Sequence, residues 1–537
     1  MNLRDQSRQP FALHLLLIVG LSCIFESLFI HYGLNPIDES WPINTIRNMD
    51  AGRALYQEVL WVFPPGHLSG AWLGYHLSPP GYLVSRVFNA GFAVLLCVGL
   101  YFLGRRIMPA RFALLAALLT AVAAPDSHLM HNLFGYRYMI FSVLALIAYS
   151  RRIETDDIRW LTVAGLLLGI GAAFRLGPVF AAGCGLGIAI MTMHRDPRQW
   201  LRDWGALGLG VTIVFVPLLA WAALTVGIDV IWRELVSRPA LMLELQSLPF
   251  PALEFPGTGD RVKIRQWFVA LQFRMIWVLY IGYLAVLAHR LIRARREDRA
   301  FAHPLLVAVW LWGGIFFVRS LTRSDEAHLD SVIPPVLLLA AHGLYSVVGR
   351  VNFAGIKGSP SEERRAWVEG GVIASALAVW VMLLGTDMYF PYARRGGVPI
   401  QSLGGRIEVS ETKQAKLTDL VVRRLKLTSP DAKILDLTAS PVYLLLADRQ
   451  GYLGYDLVMP GTFITDAEEQ GFLAQIQRDP PDLVIWSKPP FDRDPAKSMH
   501  ITAPKITAWI LARYQMWGLE RRHYLMGPKG SKPPKGW

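Results

Sequence analysis

Long runs of uncharged, apolar residues recur along this chain and limit its fold more than any other feature. A run of roughly 18 or more such residues crosses the ~30 Å hydrocarbon core of a bilayer as a helix. Only a helix or a closed barrel satisfies every backbone N–H and C=O there without water. The runs predict about eleven spans, near 11–31, 83–103, 108–124, 133–150, 159–174, 176–193, 205–225, 267–288, 302–319, 331–348 and 367–387. Composition agrees, with 53% hydrophobic and only 18% charged residues, where a soluble domain carries about 25% charge. The 18 Trp suit a protein with two water–lipid interfaces to anchor. The fold class is a polytopic α-helical membrane protein.

The formal net charge of +13 sits largely in short loops between spans. One set holds Arg105 and Arg106, Arg151 and Arg152, Arg195 with Arg198 and Arg202, the basic run from Arg290 to Arg299, and Arg364 with Arg365. Such an excess marks the cytoplasmic side and finds anionic membrane lipid as its generic partner. The N-terminus is therefore expected inside, and after an odd number of spans the C-terminal tail lies outside. Nucleic acid is excluded as a partner, because the basic clusters are not interleaved with aromatics on one soluble face. Cys23, Cys97 and Cys184 each lie in an apolar run and build neither a disulfide framework nor a cysteine zinc site. The first run is long and lacks a small-residue cleavage site, so it reads as a retained anchor.

The loops expected outside are longer, 32–82 and 226–266 above all. In the first, Ser40 can cap a helix with Pro42 in its first turn and Gly52 at its end. Ile43, Ile46 and Met49 give that helix an apolar side, which suggests that it lies on the membrane surface. Phe63-Pro64-Pro65-Gly66-His67 then breaks the chain before a second short helix. From residue 388 to 537 the pattern changes to short strands, 433–437 and 482–486, and amphipathic helices near 411–427 and 464–477. This reads as a small extracytoplasmic α/β domain following a transmembrane domain of 1–387. No Gly-rich phosphate loop follows either strand, and no repeat relates the halves of the membrane region.

Several arginines fall where charge is expensive, at about 2.5–3.5 kcal/mol each. Only about a dozen apolar residues separate Arg137 from Arg151, roughly 20 Å of helix, so Arg137 should sit below the outer interface. Arg274 is similarly deep, Arg175 lies in the tight outer turn between two short spans, and Arg319 and Arg323 close the outer end of the ninth. Two readings stand. The arginines share a pocket for a phosphate, which a guanidinium binds through its planar fork. Alternatively each pairs with Asp126, Asp325 or Glu326, or snorkels to the interface. Asp38-Glu39, just before the surface helix, can accept a proton, hold a cation or cap the helix. Arg323-Ser324-Asp325-Glu326-Ala327-His328 can place a phosphate clamp beside a proton carrier or form a polar turn.

In order along the chain, these residues resemble the GT-C superfamily of membrane glycosyltransferases, near the protein O-mannosyltransferase and lipid A aminoarabinose transferase group. The resemblance rests on Asp38-Glu39, Arg47, Gly52, Tyr56, Trp61-Val62-Phe63-Pro64-Pro65-Gly66, Gly135-Tyr136-Arg137-Tyr138, Phe174-Arg175-Leu176-Gly177, the Arg323-to-His328 loop and the C-terminal domain. It implies a polyprenyl-phosphate-linked sugar as donor, a glycan, lipid or protein acceptor, and transfer at the outer face of the plasma (cytoplasmic) membrane of a bacterium. Asp38 becomes the leading catalytic candidate and Glu39 the second. Arg137, Arg175, Arg323, Asp325, His328 and His67 become candidate substrate-binding residues. Some members use a divalent cation, Mg2+ or Mn2+, and Asp38 with Asp126 would be its ligands here. A transporter or flippase of a lipid-linked or anionic solute is the alternative, since it too would use intramembrane arginine.

Overall fold

The computed structural model describes residues 11–122, 136–254, 261–325, 328–329, 331–348, 370–371, 374–375, 397–409, 412–452, 455, 457–487, 490–520 and 523–537, with the side chains of 136–137, 261–263 and 265 excepted. Asp126, Glu326 and most of the eleventh expected span lie outside these residues. The other ten spans are helices: α1 (Phe11–Phe29), α4 (Tyr82–Gly104), α5 (Ala110–Val122), α6 (Ile140–Thr155), α7 (Arg159–Phe174), α8 (Leu176–Met193), α9 (Pro197–Val226), α12 (Arg261–Arg296), α13 (Pro304–Ser320) and α14 (Ile333–Val348). Between them lie α2 (Ser40–Asp50), α3 (Ser69–Leu77), and α10 (Ile228–Trp232) running through a π-turn into α11 (Arg238–Leu245).

Five of these helices are long and apolar enough to cross a bilayer, and four shorter apolar ones pack among them. Small residues set the closest packing. A Cβ on Gly165 would stand 2.0 Å from the Leu207 carbonyl oxygen, and one on Gly210 would stand 2.1 Å from that of Thr162. The glycines therefore let the backbones of α7 and α9 touch, which suits helices associating without a hydrophobic driving force. The basic loops meet one another at one end of the bundle. Arg106 pairs with Glu154, Arg195 with Asp298, and the fully buried Arg152 reaches Asp203 at 3.2 Å.

The C-terminal region holds β1 (Val398–Pro399) and β2 (Glu408–Val409) as a small ladder, then a four-stranded sheet. Its strands are β3 (Ile434–Leu437), β4 (Leu483–Ser487), β5 (Tyr514–Glu520) and β6 (His523–Pro528), in the order β3-β4-β6-β5. β3 and β4 are parallel, and the β5–β6 hairpin adds two antiparallel strands. Helices α15 (Thr412–Lys426), α16 (Val442–Ala447) and α17 (Asp466–Arg478) pack on this sheet, α17 lying in the crossover from β3 to β4. The hairpin escapes sequence reading because Tyr514–Glu520 mixes Gln, Gly and Glu with its apolar residues instead of alternating cleanly.

The region rests on the first loop. Gly33 N–H donates to the Glu408 carbonyl at 2.8 Å, and Glu408 N–H donates back to that of His31 at 2.8 Å. Arg47 reaches the carbonyls of Leu444 and Arg449, and Gln414 donates to that of Leu34 at 3.1 Å. One apolar core runs through Trp41, Ile43 and Ile46 into Leu403, Val421 and Leu444. Two expectations for α2 are thereby corrected. The helix is buried from Ser40 to Asn48 instead of lying on a membrane surface. Ser40 is not its cap: Glu39 holds the N-cap position, and the Ser40 hydroxyl bonds that of Tyr82 at 2.6 Å.

Candidate functional site

The turn before α2 separates the two adjacent carboxylates. Asn35 organises it, its side-chain oxygen accepting the N–H groups of Ile37 and Asp38 at 3.0 and 2.9 Å. Glu39 turns inward, where Arg86 of α4 binds it in a fork at 2.8 and 2.9 Å. Both side chains are almost fully buried, at 1% exposure for Arg86 and 5% for Glu39. Arg86 also donates to the carbonyls of Ile30 and Gly33, each at 2.7 Å. All three nitrogens of that guanidinium are thus tied to the chain entering α2, and Glu39 neutralises it.

Asp38 points the other way, into a cavity of about 400 Å3. Its neighbours there include Arg175, Arg319, Arg323, Asp325 and His328, residues up to nearly three hundred positions away. Trp41, Phe63, Leu235, Met242, Met459 and Phe491 supply apolar wall. Asn35 Nδ2–H donates to Asp38 at 2.7 Å. Burial, only partly offset by Asn35 and the nearby Arg323 and Arg175, pushes the Asp38 carboxyl up to about 7. A carboxylate so placed is a proton acceptor matched to neutral pH.

Each cation is positioned by a different element. Arg175 occupies a single extended residue, φ −156° and ψ 118°, between α7 and α8, and its guanidinium lies 4.2 Å from the centre of the Phe63 ring. Arg319 ends α13. Arg323 follows in the next loop, pinned by Asp325 at 2.8 Å and by the Gln246 carbonyl at 2.9 Å. His328 Nδ1–H donates to Asp325 at 2.7 Å. Burial opposes ionisation of Asp325, but His328 and Arg323 outweigh it and hold the carboxyl below its usual range. Phe63 is itself fixed, its carbonyl accepting the Tyr56 hydroxyl at 2.6 Å.

Of the sequence-derived candidates, Asp38, Arg175, Arg323, Asp325 and His328 share this cavity. Glu39 backs it without lining it. His67 lies behind the wall, 1% exposed, its ring tilted against that of Phe63 with centroids 4.9 Å apart and donating to the Phe174 carbonyl at 3.2 Å. Burial and the charge of Arg175 hold His67 well below its usual range, so it is neutral. The Arg137 side chain and Asp126 lie outside the described residues. Arg274 is elsewhere, donating to the Pro251 carbonyl over the Phe250 ring. Sequence reading misses Arg86, although a charge four residues into an apolar helix was a signal for it. It also misses Asp492, which accepts from Arg323, and Lys497, which donates to Asp492, both in the C-terminal region.

A family profile described as dolichyl-phosphate-mannose-protein mannosyltransferase matches residues 64–221, from the cavity wall at Pro64 through most of α9. No curated protein matches the sequence. Among solved structures, the chain resembles ArnT from Cupriavidus metallidurans bound to undecaprenyl phosphate, with a TM-score of 0.55 and 15% identity over 96% of this chain and 98% of that one. The apo form of the same protein gives a TM-score of 0.53 at 14% identity, covering 95% and 97%. The Archaeoglobus fulgidus oligosaccharyltransferase, tethered with an acceptor peptide, gives 0.50 at 13% identity, covering 97% and 74%. This chain is a multi-pass membrane protein with the fold of the GT-C superfamily of membrane glycosyltransferases.

Proposed function

We propose that this protein transfers a sugar from a polyprenyl-phosphate donor to a glycan, lipid or protein acceptor at the outer face of the cytoplasmic membrane. One observation carries the reading: a proton-accepting carboxylate, Asp38, and three arginines converge on one cavity from three separate segments. Glycosyl transfer from a lipid phosphate asks for these two functions together. Asp38 orients the acceptor hydroxyl and takes its proton as that oxygen attacks the anomeric carbon. Arg175 and Arg323, with His328 behind Asp325, face the phosphate as the bond to the sugar breaks and negative charge develops on it. Fixed charges aimed at developing charge are usually the largest catalytic contribution. Arg137, in the short 3-10 turn that leads into α6, is proposed as a further phosphate contact.

The basic loops gathered at the far end of the bundle support a cytoplasmic N-terminus, with the cavity and the region from about 388 to 537 outside. The bacterial setting stays part of the same proposal. Glu39 serves as a positioning residue: its bond to Arg86 fixes the turn that aims Asp38. His67 acts likewise, supporting Phe63 from behind.

A divalent cation, Mg2+ or Mn2+, would be held by Asp38 and Asp126. The donors described fit it poorly. Among the described residues, Asp38 and Asp325 are the carboxylates lining the cavity, and Asp325 is engaged by Arg323 and His328. A transporter would want its charges near the bilayer midplane, whereas Arg175 and Arg319 stand at helix ends. Purified protein incubated with a panel of polyprenyl-phosphate sugars should release polyprenyl phosphate in the presence of acceptor. Asp38→Asn should abolish that release, and an active Asp38→Asn enzyme would remove Asp38 from the role.

A further inference from the structure

The C-terminal region contributes more than a wall. Asp492 places one carboxylate oxygen between two cations, accepting from Arg323 at 2.8 Å and from Lys497 Nζ at 2.9 Å. Its other oxygen accepts from Arg323 at 2.7 Å. Lys497 is only 7% exposed, and its remaining described contact is the Ser247 carbonyl at 2.9 Å. A buried ammonium is costly unless an anion is present, and a carboxylate bridging a guanidinium and an ammonium matches how a phosphate would bind them.

The backbone at this point is constrained as well. Asp492 and Arg493 adopt left-handed φ values of 55° and 60°, conformations that a non-glycine residue holds only when its surroundings impose them. Phe491, the neighbour of Asp492, lines the cavity around Asp38 and also a chamber of about 180 Å3 that Lys497 borders. Ile37 and Met459 are shared in the same way, so the two spaces adjoin.

We infer that Lys497 is a further donor-phosphate residue, and that Asp492 is a resident carboxylate which the phosphate displaces to reach both Arg323 and Lys497. This rests on the polyprenyl-phosphate reading above. It makes donor binding a swap of one anion for another, with the C-terminal region completing the site. No bond to carbon or phosphorus forms or breaks in the exchange.

The experiment measures binding of undecaprenyl phosphate and of uncharged undecaprenol to the full-length protein in detergent. Wild type is compared with Lys497→Gln, Asp492→Asn and Asp492→Ala, and each variant's melting temperature is recorded. Lys497→Gln should weaken undecaprenyl phosphate binding about 10-fold, or about 1.4 kcal/mol. The two Asp492 variants should strengthen it several-fold, and undecaprenol binding should not change. The inference is overturned if Asp492 variants bind the phosphate no better than wild type, or if phosphate and alcohol change together. Wild-type protein that does not distinguish phosphate from alcohol would instead sink the donor assignment itself.

Discussion

Replacing Asp38 by Asn should stabilise the protein while abolishing its activity, and the stabilisation should depend on pH. Asn has the shape of Asp, and its side-chain oxygen can still accept from Asn35, which donates at 2.7 Å in the native turn. What it removes is a buried charge. The Asp38 carboxyl titrates near about 7 against an ordinary 3.8. Below about pH 4 both folded and unfolded chains carry the proton, so Asp38 costs nothing. Between about 4 and 7 the unfolded chain releases it while the folded chain keeps it, and stability falls as pH rises. Above about 7 the loss is complete. At about 1.36 kcal/mol per pH unit it reaches about 4 kcal/mol as an upper bound, because Asp38 keeps partial contact with a wet cavity that screens it. Thermal melts of wild type and Asp38→Asn should therefore coincide near pH 4 and separate by several degrees at pH 8, with the variant higher. The same group predicts that wild-type kcat/KM rises with pH through about 7, since a base must be deprotonated to act. A variant that melts lower than wild type at pH 8, or a rate profile already flat above pH 5, would refute the assignment of a strained base to Asp38.

Arg86→Met should cost about 3–5 kcal/mol by leaving Glu39 buried without its partner. The double variant Arg86→Met/Glu39→Met should recover much of that in the same melts. Arg323→Met should raise the KM for donor about 10-fold or more through loss of a charged hydrogen-bonding partner, and an unchanged KM would exclude it from the phosphate site. Transfer should persist in excess EDTA if the protein's own cationic side chains answer the phosphate charge. Activity lost to EDTA and restored by Mg2+ or Mn2+ would show instead that transfer requires a divalent cation.

The membrane framework is legible in the sequence because apolar runs long enough to span a bilayer have few alternative fates. α8 begins and ends where the apolar run does, and the described parts of nine other spans fall within a few residues of expectation, apart from α6, whose helix starts later, and the longer α9 and α12. Those two extend past their apolar cores because helices continue into water wherever nothing breaks them, and α12 carries its basic run Arg290–Arg296 as a helical extension. The cavity was half legible. A shared pocket was one of two readings for arginines expected near the outer interface, and Arg175 and Arg323 do line one cavity. Their companions were not readable, because Asp492 and Lys497 come from a polar loop where charge is ordinary. The burial of α2 was equally hidden: Trp41, Ile43 and Ile46 look alike whether their cover is lipid or the helix Val442–Ala447.

The division between Asp38 and Glu39 shows why a neighbouring pair of carboxylates cannot be read by itself. Successive residues entering a helix point about 100° apart, so one of the two must face α4 if the other faces the cavity. Which one does is decided by Arg86, placed on α4 so that its fork closes on Glu39 and on two carbonyls of the preceding chain. That arrangement spends the longer side chain on structure and leaves the shorter one with fewer conformations in which to misplace its oxygens. Asp38 is thereby held close to cationic groups and away from bulk water at once. The first condition favours its charge and the second opposes it, and burial wins. A base balanced near neutrality follows from that contest, and it depends on an ion pair that never touches the substrate.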